Sequence, residues 1–494
     1  MASPLSKVKH VVVLMLENRS FDHLLGYLKA NGIKPAIDGL VGTETNPTNP
    51  VTGTGSVAVT PSAGDGQPKP DSGHELADVS EQYYGHVDLT FPAGGPMNGF
   101  VANYANQPTP PLSGGDIMRC VAPAKIPALV ELAKQFCVCD RWHASVPGST
   151  WPNRMFAHGA TSVGTVTNVL NLYLQPTIFD RLAQAGLSWR IYYHQIPQAV
   201  LFASLFAEWL ISPITHRFRF FKRWKTDLAA PGCSLPEYTF IEPAYFSLRI
   251  GSTQIFSAND QHPSHSIALA DQLVRDVYEP LRASGCWKHS MLVIVHDEHG
   301  GTYDHRFPDI AAVNPDGINA APSGFTFTRY GARVPAVIVS PWARDGVCST
   351  LYDHTSIPAT LEKRFGLSPL TLRDLVAAPL GDCLDAPSPR LTDAEAPLKL
   401  PPPSAMMLAA ERRQIANPRA VALSSLQRTL VWLADQIRIP GEDRSRVTAI
   451  ERIRTEQQGG EFVRARVAAL IRATAKPRPR VRRSAGRRGR RRAR

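Results

Sequence analysis

The chain has 494 residues, of which 43% are hydrophobic, 8% aromatic and 19% charged; this excludes a largely disordered protein and leaves length for a large core. The formal net charge of +12 is localised: residues 476–494 hold eleven Lys or Arg and no acid, so 12 − 11 leaves the body near +1, and the body is not a basic nucleic-acid platform. Seven cysteines, few and odd in number, imply no disulfide framework, and no apolar run reaches the ~18 residues of a membrane span.

In chain order, the first element is a buried strand at Val11–Leu16. Its run is too short for a secretory signal and lacks a small-residue cleavage site, so a cytoplasmic location is expected. Residues 41–75 and 92–116, rich in Pro, Gly, Ser and Thr, read as surface excursions. Strands are expected at Val138–Asp140, Ser188–Tyr193, Glu237–Ile241, Met291–Val295 and Val334–Val339. Helices are expected at Ile126–Gln135, Ile178–Ala185, Ser266–Ala283 and Ser356–Phe365. The mixed aromatic and basic stretch 202–224 reads as a helix packed on the sheet, with a lid over lipid headgroups as the alternative.

Strand and helix alternate, and the last two strands are apolar without alternation, as in strands covered on both faces. The expected fold is a doubly wound, mostly parallel α/β sheet with helices on both faces, over a catalytic domain of residues 1–385. A Pro-rich linker, 386–404, leads to a helical appendage, 405–475, with helices about 405–437 and 444–474. The basic tail, 476–494, is expected to be disordered, a non-specific arm for nucleic acid or anionic lipid.

Open α/β sheets bind ligands beyond the carboxyl ends of their strands. Glu17 and Asn18 follow the first strand, and His296, Asp297, Glu298 and His299 follow Met291–Val295. Carboxylates and an Asn carbonyl are hard oxygen donors suited to a divalent cation, which would also offset the repulsion of converging acids. In SVPGSTWPNRMF (145–156), Pro152 suits the first turn of a helix and leaves Ser149 or Thr150 near its start. A hydroxyl there faces the anion-favouring end of the helix, and beside a metal it could act as a nucleophile. Such a nucleophile is expected to be open to solvent.

The motifs ENRSFDH (17–23), PGSTWPNR (147–154), HDEHGG (296–301) and RVPAVIVSPW (333–342) together resemble the bacterial phosphoesterase family of phosphatidylcholine-type phospholipases C and acid phosphatases, of the alkaline-phosphatase-like superfamily. The resemblance spans roughly residues 8–370. It implies one divalent metal cation of unknown identity, held by Glu17, Asn18, Thr150, Asp297 and Glu298. It implies Thr150 as nucleophile, with Ser149 second, and histidines about the phosphate at His74, His194 and His262. The implied reaction is hydrolysis of phosphate mono- or diesters, phospholipid among them, through a covalent phosphothreonine. The helical, Arg-rich appendage departs from the β-rich extension of some phospholipases C and favours a general phosphoesterase.

Structural readings stand beside these. Thr150 could be a helix cap, Glu17-Asn18 a turn, and each histidine a satisfied core residue. His305 and His354 could orient metal ligands but read more readily as local caps. Cys137 and Cys139 share one face of a strand and read as buried thiols, since no second cysteine pair in the sequence completes a zinc site. Two rival functions are a non-catalytic polyanion-binding scaffold and a sulfatase-like hydrolase. A retired enzyme should lack one of the five candidate ligands, and none is missing; PGSTWPNR does not fit the C/S-x-P-x-R context of a formylglycine.

Overall fold

The strand HVVVLML, β1 (His10–Leu16), has six successive apolar residues, and from Val11 to Leu16 all are buried. It lies parallel to β10 (Ser290–His296), which is buried at every position. Strands buried on both faces need cover on both sides. One layer includes the helix Ile267–Ala283, whose Ser266 caps it by accepting from the Ala268 and Leu269 amides. The neighbouring helix Pro127–Gln135 is held by Asp271, whose carboxylate accepts from the Ala128 and Leu129 amides at 3.0 and 2.9 Å.

The structure, a computed structural model, describes residues 3–250, 253–404, 421–439, 442 and 450–474. The other strands are β2 (Thr45–Asn49), β3 (Thr54–Ala58), β4 (Cys137–Cys139), β5 (Trp189–Tyr193), β6 (Phe218–Phe220), β7 (Tyr238–Ile241), β8 (Leu248–Ile250), β9 (Thr253–Phe256), β11 (Ala336–Val339) and β12 (Gly346–Cys348). Eight of the twelve form one sheet in the order β12-β4-β11-β10-β1-β7-β5-β6; β2-β3 and β8-β9 are separate ribbons. Pairing in the large sheet is parallel except where β11 runs antiparallel to β10 and β4. The α/β sheet is therefore mostly parallel, and each of the six expected strands is present within a residue or two.

Two expectations change. The stretch 202–224 is not one helix: it breaks into Ala203–Leu210, Ser212–Thr215 and the edge strand β6. Pro213 opens the second piece, and the alternating aromatics of β6 pair with β5. A disulfide also joins Cys233 to Cys286, 53 residues apart, which cysteine number alone did not suggest.

The segment 386–404 lies against the helix Ile267–Ala283: Arg282 donates to the Ala396 and Leu391 carbonyls, both at 2.7 Å, and Tyr278 to Pro397 O. Beyond it, the helices Ser425–Gln436 and Glu456–Thr474 pack on each other, and Leu426, Leu430, Leu433, Val463 and Val467 join the main apolar core. The rest of the expected appendage helices, 405–420 and 444–449, and the basic tail 476–494 lie outside the described residues. No helix among the described residues is long and apolar enough to cross a membrane.

Candidate active site

In the β1–β10 pair, Leu16 stands opposite His296, so Glu17 and Asp297 leave the sheet side by side at its carboxyl edge. The crossing is stitched by main chain: Asp297 N donates to Leu16 O at 3.1 Å and Arg19 N to Glu298 O at 3.0 Å. The Asn18 amide donates to Asp297 Oδ1 at 3.0 Å. Asn18 sits at φ +50°, a left-handed conformation that Asn accepts more readily than most residues. Gly300, at φ +60°, lies so close that a Cβ there would come within 2.4 Å of Asn18 O. The first glycine of HDEHGG thus has a steric cause.

The third component is the helix Thr150–Gly159, every residue of which is buried. Asn153 shapes the turn before it: its side chain accepts from Val146 N at 3.0 Å and donates to the Val146, Gly148 and Ser149 carbonyls. The Thr150 hydroxyl lies 3.3 Å from both Glu17 Oε2 and Asn18 Oδ1. Ser149 points elsewhere, donating to Glu75 Oε2 at 2.7 Å.

One turn along the same helix, Arg154 reaches between the strand ends. Its guanidinium lies 2.6 Å from Glu17 Oε1 and 3.1 Å from Asp297 Oδ2, all three side chains fully buried. The sequence reading assigned no role to this residue. The signal was available, since PNR places an Arg four positions after Thr150, on the same helix face.

Glu298 completes the acidic set. One of its oxygens, Oε2, accepts from Gly300 N at 2.6 Å, and the other, Oε1, is buried with no hydrogen-bond partner. His74 Nε2 stands 4.0 Å from that free oxygen. Gln82 holds this flank, donating to Gly73 O at 2.8 Å and lying 2.7 Å from His299 Nε2. His262 is close by: its ring centroid is 6.2 Å from that of His74, and its Nε2 is 3.6 Å from Asp71 Oδ2. The segment carrying it is tied to the end of β1 through Glu17 N to Asp260 O and Arg19 Nε to Gln261 O.

His194 is not brought to this group. It leaves β5, and its Nδ1 lies 2.9 Å from Glu242 O while its ring stacks on Phe221 at 4.7 Å. It lines a different cavity, of about 300 Å³, together with residues of the helix Glu456–Thr474. His354 departs from the capping reading, since its Nε2 contacts Asp297 O and its Nδ1 accepts from Trp142 Nε1. His305 instead lies 2.6 Å from Asp22 and 3.2 Å from Asp38.

The electrostatics are those of acids held away from water. Burial, reinforced by Asp297, raises the Glu17 pKa well above the usual carboxylate range. Burial raises Asp297 too, against the pull of Arg154. At His74 burial favours the neutral ring, but Glu298, Asp71 and Glu75 outweigh it and push the pKa up to about 10. His194, with burial dominant and only a backbone carbonyl beside it, falls to about 4. The two histidines are therefore electrically opposite, one cationic and one neutral at neutral pH.

This donor set fits a hard divalent cation. Of the three fully buried carboxylates, Arg154 meets two, Glu17 and Asp297; an Asn carbonyl and a hydroxyl join them, and the Glu298 Oε1 oxygen is unsatisfied. A cleft of about 970 Å³, lined by Asp71, His74, Glu75, His262 and residues 421–425, 427 and 428, opens beside the group. Thr150 itself is 1% exposed. The expectation of an open nucleophile is therefore corrected: in this structure Thr150 is closed off from solvent.

Residues 8–368 match the model of the phosphoesterase family. Non-specific phospholipase C6 of Arabidopsis thaliana is 38% identical over 486 residues, covering 95% of this chain and 88% of its own. Non-specific phospholipase C1 of the same plant is 40% identical, covering 74% and 69%. Phospholipase C A of Mycobacterium tuberculosis is 26% identical, covering 74% of each. A solved protein of the alkaline phosphatase superfamily from Vibrio parahaemolyticus overlaps 76% of this chain and 71% of its own, at 11% identity and a TM-score of 0.34. With a family match over most of its length and motifs that meet at one sheet edge, the chain belongs to the phosphoesterase family and is a hydrolase of phosphoric ester bonds.

Proposed function

We propose that this protein is a phospholipase C-type enzyme that cleaves the bond between phosphorus and the glycerol oxygen of a phospholipid, with Thr150 as nucleophile. The observation that carries the reading is the Thr150 hydroxyl at 3.3 Å from both Glu17 and Asn18, on a helix whose Arg154 grips Glu17 and Asp297. The choice of a diester over a monoester is supported by relatives named phospholipase C. The helical appendage no longer speaks against a lipase, because the match to phospholipase C6 covers 95% of the chain.

Glu17, Asn18, Thr150, Asp297 and Glu298 would hold a divalent cation. When bound, the ion supplies a positive charge that acidifies the hydroxyl and steadies the phosphate oxygens. Thr150 Oγ1 then attacks phosphorus, and its proton passes to a neighbouring carboxylate. The P–O bond to glycerol breaks, diacylglycerol leaves with a proton, and Thr150 carries the head-group phosphate. His74, 4.0 Å from Glu298 Oε1, stabilises the equatorial oxygens and can protonate the leaving oxygen, with His262 beside it. Water next attacks phosphorus and releases the phosphorylated head group, returning the hydroxyl to Thr150. His194 has no part in this scheme.

The test is a panel of p-nitrophenyl phosphate, p-nitrophenylphosphorylcholine and phosphatidylcholine vesicles, run on metal-stripped and reconstituted protein. The reading expects metal-restored release of diacylglycerol and phosphocholine from the vesicles. Cleavage of the monoester alone would make the protein a phosphatase and overturn the diester assignment.

A further inference from the structure

Outside the active site, the free cysteines are distributed unevenly. Of five, only Cys120 stands apart; Cys137, Cys139, Cys348 and Cys383 are buried together. Cys137 and Cys139 project from one face of β4, as residues two apart on a strand must. In the parallel pairing of β12 with β4, Cys348 stands opposite Cys139. The short helix Leu380–Cys383 brings the fourth sulfur. The sequence offered only the first pair, because the other two arrive from 209 and 244 residues beyond Cys139.

We propose that these four cysteines form a structural zinc site. The sulfurs of Cys137, Cys139 and Cys383 lie within 4.8 Å of one another, and Cys139 Sγ is 3.7 Å from Cys383 Sγ. A tetrahedral Zn–S₄ centre with bonds of ≈ 2.3 Å has sulfur–sulfur edges of about 3.8 Å, so that separation is already one edge of the polyhedron. Cys348 lies just outside that trio, opposite Cys139 in the β12–β4 pairing and with its sulfur 3.4 Å from the Tyr352 hydroxyl, and is assigned as the fourth ligand. That hydroxyl also contacts Cys383 Sγ at 3.7 Å, giving the sulfurs the outer hydrogen bond that thiolate centres use. Soft sulfur donors select zinc over the oxygen-loving ions suited to the active site. The site would staple β4, β12 and the short helix Leu380–Cys383, which come from separate parts of the chain, and it shares no residue with the carboxylate cluster.

The experiment is metal analysis and cobalt substitution of the full-length chain purified in reducing buffer. The expected result is about one zinc per chain that survives in Glu298→Gln, together with a thiolate-to-cobalt charge-transfer band on Co²⁺ loading. Cys139→Ser and Cys383→Ser should lose both the zinc and the band, whereas Cys120→Ser should keep them. If those variants do not fold, wild-type protein still decides: with zinc bound, the four thiols should resist alkylation until the metal is released. Overturning results are a folded wild type with no zinc and no thiolate–cobalt band, or peptide mapping that finds Cys139 and Cys383 joined as a disulfide.

Discussion

Two buried acidic clusters lie within a few residues of each other and differ in one respect. Around Arg333, Asp22 and Asp304 are fully buried, and their oxygens are met by protein. Arg333 lies 3.1 Å from Asp22 Oδ1 and 3.0 Å from Asp304 Oδ1, His305 donates to Asp22 Oδ2, and the Asp22 amide donates to Asp304 Oδ2. Around Arg154, the same one-cation arrangement meets Glu17 and Asp297 but leaves Glu298 Oε1 with no hydrogen bond and a hydroxyl between two acceptors. Burying a charge without partners is costly. A satisfied cluster can therefore be structural, whereas an unsatisfied one is kept for what binds there. The acids near Arg333 hold the fold, and those near Arg154 are the proposed catalytic set.

The largest effect that separates them is on turnover. Glu298→Gln should lower kcat by about 10³-fold or more while moving Tm by less than about 4 °C, because it removes a like charge from a crowded site. Activity assay and calorimetry on one preparation check this; a large Tm loss with normal kcat would reverse the assignment of the two clusters. Next, Arg333→Met should leave Asp304 without its cation and Asp22 with His305 alone, and cost about 3–5 kcal/mol of stability, read by denaturant unfolding. A smaller effect concerns pH. At His305 burial favours the neutral ring, but hydrogen bonds to Asp22 and Asp38 dominate and raise the pKa to about 10. A raised histidine contributes stability that is complete below its unfolded value near 6.5 and is lost as pH climbs through the folded value. Wild-type Tm should therefore fall more steeply between pH 6.5 and 10 than that of His305→Gln, with a difference of about 2 kcal/mol at neutral pH; equal slopes would contradict the ion-pair reading.

The parts legible in sequence were those written as local pattern. Val11–Leu16 and Met291–Val295 read as covered strands because uninterrupted apolar runs have no exposed face, and the acids after them fell at one sheet edge for the same reason. The direction of β11 was not legible, since Val334–Val339 has the same composition run either way. His194 shows the limit of a short motif. It does follow a strand toward the same edge, yet β5 is two places from β1 in the sheet, about 10 Å away at the usual spacing, and its ring turns to Phe221. Arg154 was missed because the motif drew attention to the hydroxyl, and the burial of Thr150 comes from tertiary packing, which no local pattern records. The gathering of four cysteines likewise comes from tertiary contact alone.

The central claim is that the Thr150 oxygen becomes covalently bonded to phosphorus. Acid quench during phosphatidylcholine turnover, followed by peptide mass mapping, tests it most directly. The account predicts a phosphate-bearing adduct on Thr150 within 147–154, absent in Thr150→Ala, which should also lose turnover while keeping its fold. Full turnover by folded Thr150→Ala, or an adduct on Ser149, would contradict it.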